Sequence, residues 1–198
     1  PFDNEWTQIE EVLDNLNNLI KAGKIRYIGL SNETPWGVMK FLQTAKERSL
    51  PRMMSIQNVY SLVNRVFDIA NSEVSIRENC GLLAYSPLAG GRLSGKYINQ
   101  QPKNARYTLW PSRFDRHHTD RGEIAIAKYV SLAKKHNIAP STFANAYVND
   151  RSFVTSNIIG ATTTDQLKEN IDSINITLSN EILDEIEDIH VSDPNPCV

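Results

Sequence analysis

The densest chemistry in the chain lies in the run Tyr85-Ser86-Pro87-Leu88-Ala89-Gly90-Gly91-Arg92-Leu93-Ser94-Gly95-Lys96-Tyr97. Its glycines let backbone N–H groups approach a ligand closely. Ser86, Ser94 and Lys96 add hydroxyls and a positive charge. Such a set suits a pyrophosphate, although the run has neither GxxxxGK(S/T) nor GxGxxG spacing. A flexible surface loop would have the same composition. The second cluster is Gly160-Ala161-Thr162-Thr163-Thr164-Asp165-Gln166-Leu167-Lys168-Glu169-Asn170. A helix opening there offers an anion its free N–H groups and the positive end of its dipole. The three threonines suit phosphate, but helix capping also explains them. Glu169 and Asn170, one turn on, can reach a ribose or base, or simply face solvent.

Both clusters depend on the elements around them. A first helix carries Val12, Leu13, Leu16, Leu19 and Ile20 on one face. Thr7 and Glu10 have capping-box spacing at its start, and Gly23 suits its end. A strand follows over residues 25–30 and leaves Ser31-Asn32 at its end. Thr34-Pro35 opens a second helix. Strands are expected over residues 54–60, 82–85 and 154–159, with a helix capped by Asn71 between the first two. Residues 88–121 read as a long polar stretch, with helices after it over 122–137 and 141–149. Thr163 and Ser179 open the last two helices. Alternating strands and helices with short turns predict parallel strands with helical crossovers. In such folds ligands gather where strands end and helices begin. Those places hold Ser31-Asn32, Gln57-Asn58, Tyr85-Ser86 and Gly160-Ala161-Thr162. For Ser31, Asn32 and Gln57 taken alone, turn and capping chemistry is sufficient.

Composition removes several classes of partner. The 198 residues are 40% hydrophobic and 22% charged, with a net charge of -2. That is an ordinary globular balance. It lacks the clustered basic face of a nucleic-acid binder. No apolar run approaches the roughly 18 residues of a membrane helix, and residues 1–11 are too acidic and polar for a signal peptide. Cys80 and Cys197 are too few for a disulfide framework or a zinc site. A reducing, cytoplasmic setting is expected. His117 and His118 are adjacent loop histidines of the kind usually left in solvent.

The run Gly23-Lys24-Ile25-Arg26-Tyr27-Ile28-Gly29-Leu30-Ser31-Asn32 resembles the fifth strand of aldo-keto reductases. Residues 85–96 resemble their pyrophosphate loop, and residues 160–170 their adenosine-binding helix start. The order and spacing of the blocks fit, and the likeness covers essentially the whole chain. It is closest to the Tas-like bacterial branch. The resemblance implies an α/β fold: the C-terminal half (strands 5 to 8) of a (β/α)8 TIM barrel. Residues 1–198 would form one NADP-dependent oxidoreductase domain, truncated on its N-terminal side, since such barrels need about 250 residues.

The resemblance also implies NADP(H) in extended form across the C-terminal face. Ser31, Asn32 and Gln57 would hydrogen-bond the nicotinamide carboxamide, and Tyr85 would stack on the ring. The segment Ser86, Pro87, Leu88, Gly90 and Lys96 would hold the pyrophosphate, with Arg106 nearby. Gly160, Thr162, Gln166, Glu169 and Asn170 would surround the adenosine. Some branches place Lys and Arg where this chain has Gly160 and Gln166, so the choice between NADP and NAD stays open. The family's catalytic Asp, Tyr, Lys and His come from the first four strands, and nothing here matches those. The expected function is the NADP(H)-binding part of an enzyme that reduces aldehydes or ketones by hydride transfer, itself inactive alone. The alternatives are a nucleotide-binding or interaction module without turnover, and a truncated gene product. Open strand edges would invite self-association or pairing with a first-half fragment.

Overall fold

The computed structural model describes residues 8–110 and 117–198. Thr7, expected to cap the first helix, and Arg113 and Arg116 of the polar stretch lie outside the described residues. Helix α1 (Ile9–Lys21) ends on Gly23 at φ 70. There the Gly23 N–H donates to Ile20 O at 2.9 Å and the Lys24 N–H to Leu19 O at 3.0 Å. This bond pair is what a left-handed residue beyond a helix permits. Strand β1 (Ile28–Ser31) leads to α2 (Pro35–Glu47). The Thr34 hydroxyl accepts from the Gly37 N–H at 3.1 Å, and Pro35 occupies the first turn, where no N–H is needed.

Strand β2 (Met53–Val59), helix α3 (Asn71–Arg77) and strand β3 (Gly81–Tyr85) follow. Then come α4 (Arg106–Leu109), α5 (Asp120–Lys135), α6 (Pro140–Asn149), β4 (Val154–Ile158), α7 (Thr164–Asp172) and α8 (Asn180–Ser192). The four strands make one sheet in the order β1-β2-β3-β4, every pair parallel. Helices α2, α3 and α6 pack on β2, β3 and β4. The parallel strands with helical crossovers are what the alternation of elements predicts, and the arrangement is that of part of a (β/α)8 barrel, as the resemblance implies.

Register decides which face does what. Leu30, Ile56, Leu82 and Val154 lie side by side across the strands. Ile56, Leu82 and Ala84 are buried on the helix side, with Leu42, Phe143, Ala144 and Tyr147 in the same core. Ser31, Gln57, Leu83 and Ser156 form the next row. Because successive strand residues alternate faces, this row belongs to the opposite side in β1, β2 and β3, and an irregularity in the β3–β4 register brings Ser156, two residues after Val154, into line with it. Gln57 and Ser156 are exposed there. Among the described residues, β1 and β4 each pair on one edge only.

Three expectations need correction. Asn71 does not cap α3. It stands in the first helical position, behind Ala70 at φ 64, and its amide donates to Glu33 O at 3.4 Å. The polar stretch is not structureless: it holds a run of tight turns over Ala89–Ser94, helix α4, and Thr119 as the N-cap of α5. His117 is buried, not solvated, while His118 Nδ1 lies 2.7 Å from Glu123 Oε1.

Two outcomes are expected. Leu82 is fully buried, so Leu82→Ala should cost about 2–5 kcal/mol in urea unfolding. Helix α8 is tied to α5 through Glu185, which is bonded by Lys135 and by His136 Nε2 at 2.8 Å. Lys135, then His136, holds the Glu185 carboxyl below its ordinary value of 4.5. A depressed folded pKa gives stability that is present above the unfolded pKa and lost as pH falls through the folded one. Glu185→Gln should therefore flatten the acid limb of a melting-temperature profile below about pH 4.5.

Candidate functional site

The C-terminal ends of the strands gather the first group of expected residues. Ser31 closes β1 in register with Gln57 of β2. Asn32 turns the chain away at φ 52, and its N–H donates to Gln57 O at 2.9 Å. Asparagine tolerates this left-handed conformation better than most residues. Tyr85 ends β3 in register with Val59 and Ile158. It lies two residues beyond Leu83, so it is on the same open face as Gln57. Its hydroxyl donates to Asn32 Oδ1 at 2.8 Å, joining the ends of β1 and β3 across β2. The Asn32 amide also donates to Ser31 Oγ at 3.3 Å. The four residues thus form a polar patch of carboxamides and hydroxyl beside a half-buried aromatic ring.

The loop after β3 is built from left-handed backbone. Ser86, Ala89, Gly90, Gly91 and Gly95 all have positive φ, at 59, 48, 68, 99 and 79. For Ser86 and Ala89 this conformation is strained, and the surroundings must hold it. Pro87 and Ala89 are buried, and the Ala89 N–H donates to Ser86 O at 2.9 Å. Gly90 has a second constraint: a Cβ there would run into the Tyr107 hydroxyl. That hydroxyl itself donates to Ala89 O at 3.3 Å. The half-buried Leu88 accepts two N–H groups on its carbonyl, from Gly91 at 2.8 Å and Leu93 at 3.2 Å. Ser94 Oγ donates to Gly91 O at 2.7 Å, and the exposed Lys96 lies near Gly91. Arg106 is exposed at the start of α4, next to Tyr107. A tight series of turns therefore closes on its own carbonyls at the end of β3, with the exposed Lys96 beside it as the positive charge an anion would meet.

The third group follows β4. Tyr85 and Ile158 pair, so residue 160 emerges beside the loop after β3. Gly160 has nothing within 4 Å of where a Cβ would stand, leaving open space over the turn. The Thr163 hydroxyl accepts from the Gln166 N–H at 3.3 Å and caps α7. Gln166 Oε1 accepts from both the N–H and the hydroxyl of Thr162, each at 3.0 Å. Gln166 is thus engaged in holding the turn. Glu169 is half-buried, and Asn170 is buried at 6% exposure. The Asn170 amide turns inward: its Oδ1 accepts from Asn145 at 3.0 Å and its Nδ2 donates to Gly160 O at 3.4 Å. Its placement is that of a support to the turn.

Two supporting sets escaped the sequence reading. Arg92 is buried, stacked on Tyr107 at 4.4 Å and bonded to Glu123 at 3.1 Å, so it braces the loop rather than lying free on it. Asn145, Asn149 and Asn157 form an amide cluster under α7. One signal for the second was present: Asn145 interrupts an apolar run, Phe143-Ala144-Asn145-Ala146-Tyr147-Val148, inside a helix. No group of His, Cys, Asp and Glu able to hold a metal occurs among the described residues, and no helix there is long and apolar enough to cross a membrane.

The model of the aldo/keto reductase family matches residues 2–191. The chain is 49% identical over 181 residues to Protein tas of Escherichia coli K12, covering 91% of this chain and 52% of that protein. It is 36% identical over 177 residues to an aldo-keto reductase of Babesia bovis, covering 86% and 62%. It is 29% identical over 199 residues to the L-glyceraldehyde 3-phosphate reductase of E. coli K12, covering 96% and 56%. The chain spans about half the length of the curated relatives it matches. With a family match over nearly all its residues and this sheet beneath its polar strand ends, the chain belongs to the aldo-keto reductase family of oxidoreductases.

Proposed function

We propose that these residues form the NADP(H)-binding part of a reductase acting on aldehydes or ketones. The observation that carries the reading is the patch at the strand ends, where Tyr85 is bonded to Asn32 beside Ser31 and Gln57. A nicotinamide needs a flat apolar surface on one side and carboxamide partners at its edge. Tyr85 offers the first, and Ser31, Asn32 and Gln57 offer the second. The glycine turns and Lys96 suit a pyrophosphate. The open turn at Gly160, at the start of α7, suits an adenosine phosphate. When bound, the nicotinamide supplies the hydride. The protein's part is to fix which ring face is presented and to exclude water from it.

The same reading assigns proton donation elsewhere. A tyrosine that protonates a carbonyl oxygen needs its pKa brought down towards the working pH. Burial instead pushes up the hydroxyls of Tyr60, Tyr107, Tyr129 and Tyr147. Tyr60 is committed to Asp68 at 2.7 Å. The reading therefore predicts nucleotide binding without carbonyl turnover for this chain by itself.

The first test is NADPH fluorescence titration of the chain, then an assay of carbonyl-dependent NADPH oxidation. Saturable binding without oxidation is expected. Absence of binding would remove the reading, and turnover by the chain alone would contradict the assignment of proton donation. Gly90→Ala should weaken NADPH binding by up to about tenfold, because the left-handed conformation costs an L residue roughly 1–2 kcal/mol and its Cβ would meet the Tyr107 hydroxyl, so the free loop relaxes out of the shape that binding needs. Parallel titration with NADH measures the preference between the two nucleotides.

A further inference from the structure

A chain of buried and half-buried side-chain amides runs from β4 through α6 to α7 and back to the turn leaving β4. Asn157 Nδ2, on β4, donates to Asn145 Oδ1 at 3.2 Å and to Asn149 Oδ1 at 3.0 Å. Asn145 and Asn149 lie one turn apart on α6, so one strand amide meets both. Asn145 Nδ2 donates to Asn170 Oδ1 at 3.0 Å. Asn170 Nδ2 donates to Gly160 O at 3.4 Å, and Asn149 Nδ2 donates to Ser173 Oγ at 3.2 Å. Ser173 Oγ closes the path by donating to Asn170 O at 2.6 Å.

Stability alone does not explain an amide at position 145. Asn145 is fully buried, and Phe143, Ala144, Ala146, Tyr147 and Val148 around it are buried too. A buried amide gains little net stability even when paired and costs heavily when it is not. An apolar residue of similar size would fill the place. What the amide adds is direction. Through Asn170 it fixes the carbonyl of Gly160, and so the path of the turn that carries Thr162 and Thr163 to the start of α7. It has no bond to the patch formed by Ser31, Asn32, Gln57 and Tyr85.

We infer that Asn145 is a positioning residue for the adenosine-phosphate half of the nucleotide site, acting through Asn170 and the Gly160 turn and leaving the nicotinamide half untouched. The inference rests on the nucleotide-site reading above. Its consequence is a split between two half-ligands. In Asn145→Leu, Asn170 loses its donor and Asn157 loses one acceptor, so the turn is no longer held. Dissociation constants for 2',5'-ADP and for reduced nicotinamide mononucleotide are measured on the unmodified chain and on the variant. The expected result is about tenfold weaker binding of 2',5'-ADP, the size of one lost positioning bond, with mononucleotide binding unchanged.

A purely structural role would weaken both ligands together, and that result overturns the inference, as does unchanged 2',5'-ADP binding. Failure of the unmodified chain to bind 2',5'-ADP would instead overturn the nucleotide-site reading, and the inference with it. Circular dichroism checks the fold of the variant. If Leu at 145 prevents folding, Ser173→Ala tests the same path from its other end. It should give a smaller split in the same direction, and equal weakening of both ligands would overturn the inference.

Discussion

The parallel register of the four strands is the constraint on which everything else depends. One row, Leu30, Ile56 and Leu82, faces the helices, and the next, Ser31, Gln57, Leu83 and Ser156, faces the other way. A slip of one residue in β2 would bury Gln57 and expose Ile56. The helix-side core is therefore what holds Gln57 beside Ser31 and keeps Tyr85 on the open face. Hydrophobic burial at Ile56, Leu82 and Ala84 sets the geometry of the polar patch without touching any ligand.

The loop after β3 and the turn after β4 solve one problem in two ways. Each must hold a turn in one place at the end of a strand. The first uses strain held in place: the buried Ala89 stays left-handed with its N–H bonded to Ser86 O and its carbonyl bonded by the Tyr107 hydroxyl. The second uses hydrogen bonds, from Gln166 to Thr162 and from Asn170 to Gly160. Packing suits a short rigid turn. Directed amides suit a turn with open space over it, as at Gly160.

Much of this was legible in the sequence, and the exceptions have physical causes. Period and capping signals located α2, α7 and α8, because Thr34, Thr163 and Ser179 do accept the N–H bonds their types suggest. Asn71 misled, because asparagine's taste for caps is a local preference and tertiary contact with Glu33 takes its amide. Residues 88–121 read as loop because tight turns carry no long apolar period. Gly90 was legible as a turn residue, but its partner Tyr107 was not, since nothing local links positions 17 apart. The amide path beneath α7 was visible only as one odd polar residue in an apolar helix. Its partners come from three elements, and sequence order does not bring them together.

The central claim is that three strand-end segments make one nucleotide site. Amide chemical-shift mapping by NMR during titration with NADP+ tests it most directly. The account predicts shifts confined to Ser31, Asn32, Gln57, the loop from Tyr85 to Lys96, and the turn from Gly160 into α7, all saturating with one dissociation constant. Shifts scattered elsewhere, or segments that saturate at different concentrations, would contradict it.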